Sequence, residues 1–409
     1  MDTKNNILDN ESAQLTAGWV DKKLGDVVDC FDKLRSPLSS IQRAKIHGIY
    51  PYYGAQGIID YIDDYIFDGQ YILIAEDGEN LRSRKQPIAN IAKGRFWVNN
   101  HAHVLRNNKN SNFGFIYYYL NFVNLSAFIT GAVQPKLNQE NLFKIPFLCP
   151  PIKEQKEIAT ILSSLDDKIE LNQQINKKLE EMAQAIFKEW FIDFNFPDEN
   201  GNPYRDSGGA MVDSELGLIP ASWSIKNLDE IAEFTNGLAM QKFRPCEHEK
   251  SLPVLKIKEL RQDSTDINSD RCTVNIPDNV KVFDGDVVFS WSGSLMVNLW
   301  TGGCAGLNQH LFKVTSDKYS KAFYYLWTKY HLAEFIAIAQ DKATTMGHIQ
   351  RKHLSDAKVF CPDIKIMQKF NDMVNLMIEQ IITNRVEAVK LANSRDILLP
   401  KLMSGEIRL

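Results

Sequence analysis

Two stretches of the chain carry apolar residues at helical spacing over many turns, and each follows a Cys-Pro dipeptide. The first stretch starts after Cys149-Pro150, and the second starts after Cys361-Pro362. In both, the apolar positions are separated alternately by four and three residues, which is the heptad pattern of a coiled coil. The pattern therefore predicts two long helices that pack against each other along one seam.

The predicted seam keeps the same register in both helices. In the first helix it consists of Ile158, Leu162, Leu165, Ile169, Asn172, Asn176, Leu179, Ala183, Ile186 and Trp190. In the second helix the matching positions are Phe370, Val374, Met377, Ile381, Asn384, Ala388, Leu391, Arg395, Leu398 and Leu402. The alternative is two amphipathic helices packed on separate domains, but each apolar stripe is too long for its own small domain.

A polar residue interrupts the seam at the same place in both helices, where Asn172 corresponds to Asn384. A buried polar residue costs stability but can fix the register and orientation of paired helices. If the helices run antiparallel about their midpoints, Asn176 faces Asn384. We therefore predict an antiparallel pair in which asparagine side chains meet.

The repeat covers both halves of the chain, not the helices alone. Trp19 corresponds to Trp223, Phe67-Asp68-Gly69 to Phe283-Asp284-Gly285, Asn99-x-His101 to Asn308-x-His310, and Cys149-Pro150 to Cys361-Pro362. The order of these anchors is preserved. A period of about 210 residues is too long for a solenoid repeat and indicates a duplicated domain.

Each half has the pattern of a mixed α/β domain. The segments QYILIAEDG and DVVFSWSG predict buried strands that end in a glycine turn. FGFIYYYLNF and KAFYYLWTKYHLAEFIAIA predict aromatic-rich helices whose aromatic residues lie in the core. The predicted fold class is α+β, with two similar mixed α/β domains separated by two long helices that form an antiparallel coiled coil. The predicted segments are a first domain at 1–150, the first helix at 151–195, a linker at 196–219, a second domain at 220–362 and the second helix at 363–409.

The predicted helices indicate a use for the duplication. At about 1.5 Å per residue, the first apolar stripe spans roughly 50 Å, more than the roughly 34 Å of one turn of B-DNA. Duplex DNA has a two-fold axis perpendicular to its length, as an antiparallel helix pair has. We therefore expect the two domains to read two short DNA segments with an unread gap between them.

Charge is distributed unevenly along a chain whose net charge is −4. No Asp or Glu occurs between Glu79 and Glu140. The basic residues of this window are Arg82, Arg84, Lys85, Lys93, Arg95, Arg106, Lys109 and Lys136. Such a window favours a surface that faces phosphates, and a solvated loop face is the simpler alternative.

Composition excludes several classes of protein. The chain is 44% hydrophobic and 24% charged, which are values of globular proteins. No apolar run approaches the roughly 18 residues of a membrane span, and the polar first residues do not resemble a signal peptide. We expect a cytoplasmic protein without membrane association.

The chain shows no pattern typical of a catalytic site. It has no GxGxxG or phosphate-binding loop, and the nearest match to an adenine methyltransferase loop, Asn202-Pro203-Tyr204, lacks the second proline. Six dispersed cysteines without a Cys-x-x-Cys pair predict buried free thiols. His101 and His103 have metal-like spacing, but satisfied core or interface histidines are the favoured interpretation. We predict neither a catalytic nor a metal site.

Together, the repeat, the helix motif and the segment between the halves resemble the specificity subunit of type I restriction–modification systems. The helix motif CPP.KEQ..IA.IL..LD.KI.LN...N..LE..A..IFK.WF.DF runs from Cys149 to Phe194, and MVDSELGLIPASW starts at Met211. The resemblance implies two target recognition domains and a noncatalytic subunit that binds no cofactor itself. It also implies docking of two methyltransferase subunits that use S-adenosylmethionine, and of restriction subunits that use ATP and Mg²⁺. The second helix departs from the motif, because CPDIKIMQKFNDM lacks KEQ..IA.

Candidate DNA-reading residues lie in polar and basic loops, because Arg and Lys suit guanine, Asn and Gln suit adenine, and cations hold phosphates. In the first half they are Arg82, Ser83, Arg84, Lys85, Lys93, Arg95, Thr130, Gln134, Lys136 and Asn138. In the second half they are Gln241, Lys242, Arg244, Lys342, Thr344, Thr345, His348, Gln350 and Arg351. The loops at 130–138 and 342–351 correspond, since both follow the aromatic helix and precede the Cys-Pro dipeptide.

The sequence therefore favours a subunit that recognises double-stranded DNA and serves as a scaffold. The alternative is a duplicated coiled-coil adaptor that binds proteins and does not read DNA. A stand-alone nuclease or methyltransferase is disfavoured because its motifs are missing.

Overall fold

A computed structural model describes residues 18–341 and 347–409. The chain divides into two compact units, Met1–Asp167 with Leu391–Leu409, and Lys168–Lys390. Each unit therefore contains one globular half together with a segment of both long helices.

The first unit is built on a six-stranded sheet with the strand order β2-β7-β5-β6-β3-β4. Its strands are β1 Val20–Lys23, β2 Val28–Cys30, β3 His47–Gly54, β4 Gly57–Ile62, β5 Phe67–Ala75, β6 Ala89–Val98, β7 Ala102–Asn107 and β8 Pro146–Cys149. Its helices are α1 Ser40–Lys45, α2 Asn80–Ser83, α3 Phe113–Phe122, α4 Gln139–Lys144 and the start of α5 Ile152–Phe187.

The central strand β5 explains how this unit forms its core. Side chains alternate across a strand, so Ile72 and Ile74 face one side and Tyr71 and Leu73 face the other. The first pair lies in the same buried cluster as the aromatic residues of α3, and the second pair lies with Phe96 in a separate cluster. The predicted buried strand and aromatic helix are both confirmed.

The second unit contains two four-stranded sheets, ordered β12-β19-β16-β17 and β14-β13-β18-β15. Its strands are β9 Met211–Ser214, β10 Gly217–Pro220, β11 Ser224–Asn227, β12 Glu233–Asn236, β13 Ser251–Leu255, β14 Arg271–Thr273, β15 Lys281–Val282, β16 Val287–Ser290, β17 Met296–Leu299, β18 Ala305–Leu307, β19 Leu311–Thr315 and β20 Lys358–Cys361. Its helices are α6 Leu228–Ile231, α7 Ile257–Gln262, α8 Lys321–Tyr330, α9 Leu332–Asp341, α10 Arg351–Asp356 and most of α11 Ile364–Met403, and a π-helical turn at Lys188–Ile192 continues α5.

The internal repeat is visible in the strand pairing. β1 pairs antiparallel with β8, with Val20 opposite Cys149, and β11 pairs antiparallel with β20, with Ser224 opposite Cys361. In each half a tryptophan precedes the first strand of the pair, and a Cys-Pro dipeptide joins the second strand to a long helix.

The segment from Lys321 to Ala339 is helical as predicted, with an interruption of one residue. The helix ends at Tyr330, and a second helix starts at Leu332. His331 lies at the break, where its Nε2 donates a hydrogen bond to the carbonyl oxygen of Lys358 at 2.9 Å. The aromatic pattern continues through the break because both helices face the same core.

The long helices pair antiparallel, as predicted. In the first unit the start of α5 and the end of α11 share a core, with Ile158, Leu162 and Leu402 fully or almost fully buried. In the second unit the other ends meet, and the rings of Trp190 and Phe370 lie 6.0 Å apart. The seam is therefore confirmed as a helix–helix interface.

The predicted meeting of asparagines is also confirmed. Asn384 Nδ2 donates to Asn176 Oδ1 at 2.9 Å, and Asn172 Nδ2 donates to Glu387 Oε2 at 2.8 Å. All three asparagines are buried, while Asn172 Oδ1 has no hydrogen-bond partner in the described part of the chain. A shift of one heptad would separate these donors from their acceptors, so the polar residues disfavour other registers.

The segment at 196–219, predicted as a linker, carries structure of its own. β9 and β10 form an antiparallel hairpin, and Phe196 and Ile219 are buried in the core of the second unit. The Gly, Pro and Asp residues that indicated a linker form the turns of this packed segment.

Candidate nucleic-acid interface

The loop before the first Cys-Pro dipeptide is held at its base by backbone hydrogen bonds. Thr130 and Lys136 exchange two such bonds, each of 2.8 Å. Gly78 N donates to the Pro135 carbonyl at 3.1 Å, and Leu137 N donates to the Glu76 carbonyl at 2.7 Å. The loop is thus tied to the turn that ends β5, and its tip at 132–134 is exposed.

The second half ties its matching loop to the matching turn. Gly293 N donates to the Gly347 carbonyl at 2.9 Å, and Ile349 N donates to the Trp291 carbonyl at 3.0 Å. His348, a predicted DNA-binding residue, is exposed and pairs through its backbone with Ser292. Lys342, Thr344 and Thr345 lie outside the described residues.

The Asn-x-His motif forms the same turn beside each loop. The His101 amide donates to Asn99 Oδ1 at 2.8 Å, and the His310 amide donates to Asn308 Oδ1 at 3.3 Å. The ring of His101 contacts Asp77 Oδ2 at 2.7 Å. The ring of His310 contacts Ser292 Oγ at 2.9 Å, which is the corresponding position of the other half. Each half therefore brings together three segments. These are the turn that ends a buried strand (76–78 or 291–293, the strand-end turn), the Asn-x-His turn (99–101 or 308–310, the histidine turn) and the exposed loop before the Cys-Pro dipeptide.

Two of the predicted DNA-binding residues start short helices. Asn138 Oδ1 accepts a hydrogen bond from the Asn141 amide at 2.8 Å and thereby caps α4. Gln350 occupies the same position before α10, and its amide donates to His353 Nδ1 at 3.0 Å. N-cap side chains satisfy amides that the helix leaves unpaired, so Asn138 has a structural reason to be polar, whereas the bond at Gln350 uses only its backbone.

At the start of the basic window, 82–85, two side chains bond to backbone carbonyls and two are exposed. Arg82 donates to the carbonyls of Gly131 and Ala132 in the loop. Arg84 donates to the carbonyls of Asn121 and Val123 at the end of α3, and burial lowers the pKa of its guanidinium. Ser83 and Lys85 are exposed. The contacts of Arg84 give it a structural role, and a base contact by this residue stays a prediction without support.

The remaining predicted residues lie on three other surfaces. Lys93 and Arg95 are exposed on β6, where Arg95 Nε lies 3.2 Å from Asp68 Oδ2. Arg351 donates to the Phe234 carbonyl at 3.0 Å and lies over the Phe312 ring. Gln241 and Arg244 line a cavity of about 280 Å³ together with Lys256, Arg271 and Asn308, and Lys242 is exposed next to it.

A buried ionic cluster supports the first loop from below. His103 lies between Asp32 and the Leu137 carbonyl, which confirms it as a satisfied core histidine. Glu76 contacts Arg35 at 2.8 Å and Lys136 at 3.3 Å. Burial by itself would raise the pKa of the Asp32 carboxyl, but the hydrogen bond and charge of the neighbouring His103 outweigh burial, so the pKa is lowered overall. Asp32, Glu76 and His103 have metal-like geometry, yet these protein groups already occupy their ligand atoms, so the cluster fits a structural brace.

Three of the six cysteines are buried, as predicted. Cys149, Cys272 and Cys361 are buried, and burial raises the pKa of the Cys361 thiol to about 11, which keeps it protonated and unreactive. Cys30 and Cys304 are partly buried, and the expectation of a buried thiol is wrong for Cys246, which is exposed. It lies in a long polar loop after Met240–Lys242, a position that apolar periodicity does not reveal.

A family model of the type I restriction modification DNA specificity domain matches the chain twice, at residues 16–181 and 220–389. The chain belongs to this family. The two matches coincide with the two halves of the repeat, and each includes a strand-end turn, a histidine turn and an exposed loop. The domains are thus DNA-recognition domains of a noncatalytic specificity subunit, and an adaptor without DNA readout is not supported.

Individual relatives agree with the family. The specificity subunit of the type I restriction enzyme MjaIX from Methanocaldococcus jannaschii is 26% identical over 307 residues, which cover 72% of this chain and 69% of the relative. A putative type I specificity subunit from Haemophilus influenzae is 38% identical over 144 residues, or 35% of this chain and 36% of the relative. A crystal structure of a type I S subunit from M. genitalium shares the fold, with a TM-score of 0.60, 15% identity, and coverage of 94% of this chain and 96% of that one.

Sequence reasoning missed two features of the specificity subunit. Glu154, within the KEQ motif, accepts hydrogen bonds from Trp19 Nε1 at 3.0 Å and from Arg408 Nε at 2.6 Å. Val133, between the predicted residues Thr130 and Gln134, is almost completely exposed. The KEQ motif was a usable signal for Glu154, whereas a single valine gives none.

No helix in the described part of the chain is long and apolar enough to cross a bilayer.

Proposed function

We propose that the two domains read the two halves of a bipartite duplex DNA target, each through the loop that precedes its Cys-Pro dipeptide. The observation that carries this proposal is that both halves hold an exposed loop in the same way. In both halves the loop is tied by backbone hydrogen bonds to the turn that ends a buried strand, beside the Asn-x-His turn. Loops on a rigid scaffold are suited to binding because their side chains vary without disturbing the fold.

The two loops present different side chains on this common frame. The first carries Val133, Gln134 and Lys136, and the second carries His348 and Gln350. Base edges are distinguished by hydrogen bonds and methyl contacts in the major groove. We therefore propose that the two half-sites differ in sequence, since different side chains on equivalent loops match different base edges.

A loop replacement tests this proposal. Residues 132–134 are replaced by Gly-Ser-Gly in the chromosomal gene, and methylated motifs in the host DNA are determined by long-read sequencing. We expect one half of a bipartite motif to become degenerate while the other half stays unchanged. Deletion of the gene is the control and removes the whole motif. A motif unchanged after loop replacement would contradict the assignment of this loop to readout.

We further propose that the long helices dock the partner subunits. These are methyltransferase subunits that use S-adenosylmethionine and restriction subunits that use ATP and Mg²⁺. Away from the seam, α5 exposes an apolar stripe formed by Leu171, Ile175 and Met182, which are 48%, 37% and 50% exposed. Apolar residues aligned on a helix surface are typical of a protein interface.

Co-purification tests the docking proposal. Leu171→Asp combined with Ile175→Asp places two charges on the stripe, and we expect the amount of methyltransferase subunit retained by the tagged chain to fall at least tenfold. Ile267→Asp is the control, because it places a charge on an exposed apolar residue that does not belong to α5. Equal retention by both variants would show that the stripe is not part of the docking surface.

A further inference from the structure

Two large apolar side chains, Val133 and Ile267, are each 98% exposed. Single exposed apolar residues are common on protein surfaces and by themselves indicate nothing. The loop of Val133, at 130–138, contains a basic and no acidic residue, whereas the loop of Ile267, at 263–270, contains acidic and no basic residues. This difference assigns a role to Val133.

The loop of Val133 is held rigidly around an exposed tip. Thr130 and Lys136 close its base, and Arg82 donates to the carbonyls of Gly131 and Ala132. Gly131 has a φ of +84°, and a Cβ at this position would lie 2.1 Å from the Gln134 carbonyl oxygen. The loop therefore needs a glycine, and its bracing removes much of the entropy that a flexible loop loses on binding.

The charges around Val133 are those of a surface that meets phosphates. Arg82 and Lys136 flank the tip, within the window that lacks Asp and Glu. Three carboxylates lie on the adjoining segment at 76–79, where Glu76 contacts Lys136, Asp77 contacts His101 and Glu79 is exposed. Fixed cations at the sides of an apolar tip suit insertion into a groove between two phosphate backbones.

The segment around Ile267 has the opposite composition. Asp263, Asp266 and Asp270 lie in the same loop, which contains no Lys or Arg of its own. Cations from outside the loop pair with all three carboxylates, Arg385 with Asp263, Lys258 with Asp266 and Lys256 with Asp270. Ile267 therefore matches Val133 in exposure, but its own loop supplies no cation for a phosphate backbone.

We propose that Val133 and Gln134 are specificity-determining residues that contact base edges in the major groove of the half-site read by the first domain. The methyl groups of Val133 pack against the C5-methyl group of a thymine, and the Gln134 amide pairs with an adjacent adenine. The proposal rests on the proposed reading of a bipartite target and names the side chains that read it.

The test uses Val133→Ser, which keeps a small side chain and removes its apolar contact. Methylated motifs are mapped in the host carrying each variant gene. We expect Val133→Ser to relax one position of one half-site, with discrimination against the wrong base falling about fivefold or more. Gln134→Ala should relax a neighbouring position of the same half-site. Because Val133 makes no buried contact, the thermal midpoint of the purified chain should not change.

Ile267→Ser is the matched control, and it should leave every motif position unchanged. The inference is overturned if Val133→Ser and Gln134→Ala leave the motif intact while the Gly-Ser-Gly loop replacement degrades it, since the loop then reads DNA through other atoms. If the loop replacement also leaves the motif intact, the proposed function itself fails. A relaxed position in both half-sites would likewise overturn the assignment to the first domain.

Discussion

The two halves of the molecule bury equivalent tryptophans in different ways. Trp19 donates a hydrogen bond to Glu154, and Arg408 both contacts that carboxylate and lies over the Trp19 ring at 5.4 Å. In the second half Ile366 occupies the position of Glu154 in the repeat. There Trp223 is surrounded by the rings of Phe191, Phe194 and Phe196, at centroid distances of 5.5, 5.6 and 5.1 Å.

The difference shows that the same position in the repeated fold can be stabilised either by an ion pair or by aromatic packing. In the first half the ion pair satisfies the indole N–H of Trp19, but this arrangement depends on the charge of Glu154, which is 5% exposed. In the second half the aromatic packing leaves Trp223 Nε1 without a hydrogen-bond partner in the described part of the chain. The aromatic arrangement gains buried area, an edge-to-face contact with Phe194 and a stacked contact with Phe196, and these contacts are insensitive to pH. The first half should therefore respond to charge and the second half to side-chain volume.

The largest effect is expected for Phe191→Ala in the aromatic cluster. Phe191 is fully buried, and its ring lies 4.8 Å from Phe370 and 5.3 Å from Phe323. Truncation leaves a cavity, and we expect the free energy of unfolding of the second unit to fall by about 3–5 kcal/mol. Hydrogen exchange of amides in β11 and β20 measures it, with amides in β1 and β8 as the internal reference. A loss below about 1 kcal/mol would show that the cluster collapses onto the cavity.

A smaller effect is expected for Glu154→Gln in the ionic cluster, where about 1–2 kcal/mol should be lost at neutral pH. Burial would raise the pKa of the Glu154 carboxyl, but hydrogen bonds from Arg408 and Trp19 lower it overall. A carboxyl with a lowered pKa adds stability above its unfolded value of about 4.3, and this stability is lost as the pH falls through the folded value. The difference between the wild type and the variant should therefore be complete at pH 7 and disappear in acid.

Denaturant unfolding of the first unit at several pH values measures this effect. Glu157→Gln is the control, because this carboxylate is 42% exposed and its nearest cation, Lys153, is 87% exposed. A loss for Glu154→Gln that does not change with pH would show that shape, rather than charge, stabilises the first half.

The smallest effect is expected from a matched pair of tryptophan substitutions. Trp19→Phe removes the donor that Glu154 accepts, so about 1 kcal/mol should be lost. Trp223→Phe removes an N–H that has no described partner, so the loss should be smaller by about that amount. Unfolding midpoints of the two variants give the comparison. Equal losses would mean that the hydrogen bond to Glu154 contributes nothing net.

Much of the fold could be predicted because its signals are local in sequence. The heptad spacing predicted both long helices, and the aromatic run from Phe113 to Phe122 matches the observed helix. The meeting of Asn176 and Asn384 followed from the register alone. The helical segment predicted after Lys321 is observed as two helices that meet at His331, and the bond of this residue to the Lys358 carbonyl, distant in sequence, could not be predicted.

The candidate site was predicted less well than the fold. The sequence located the loops that the proposed function uses, but residue type did not distinguish open side chains from those that already bond within the protein. Arg84 is used at the end of α3 and Asn138 at the start of α4. Val133 remained unnoticed because an isolated valine usually indicates core.

The sequence by itself determined the duplication, the helix pairing and the resemblance to specificity subunits, since each depends on spacing along the chain. Only the tertiary structure decided which polar side chains are already engaged and which remain open to a ligand. Arg82 and Arg84 reach carbonyls 37 to 50 positions away along the chain. Such contacts form only after the chain has folded, because they depend on distances in space that local periodicity does not specify.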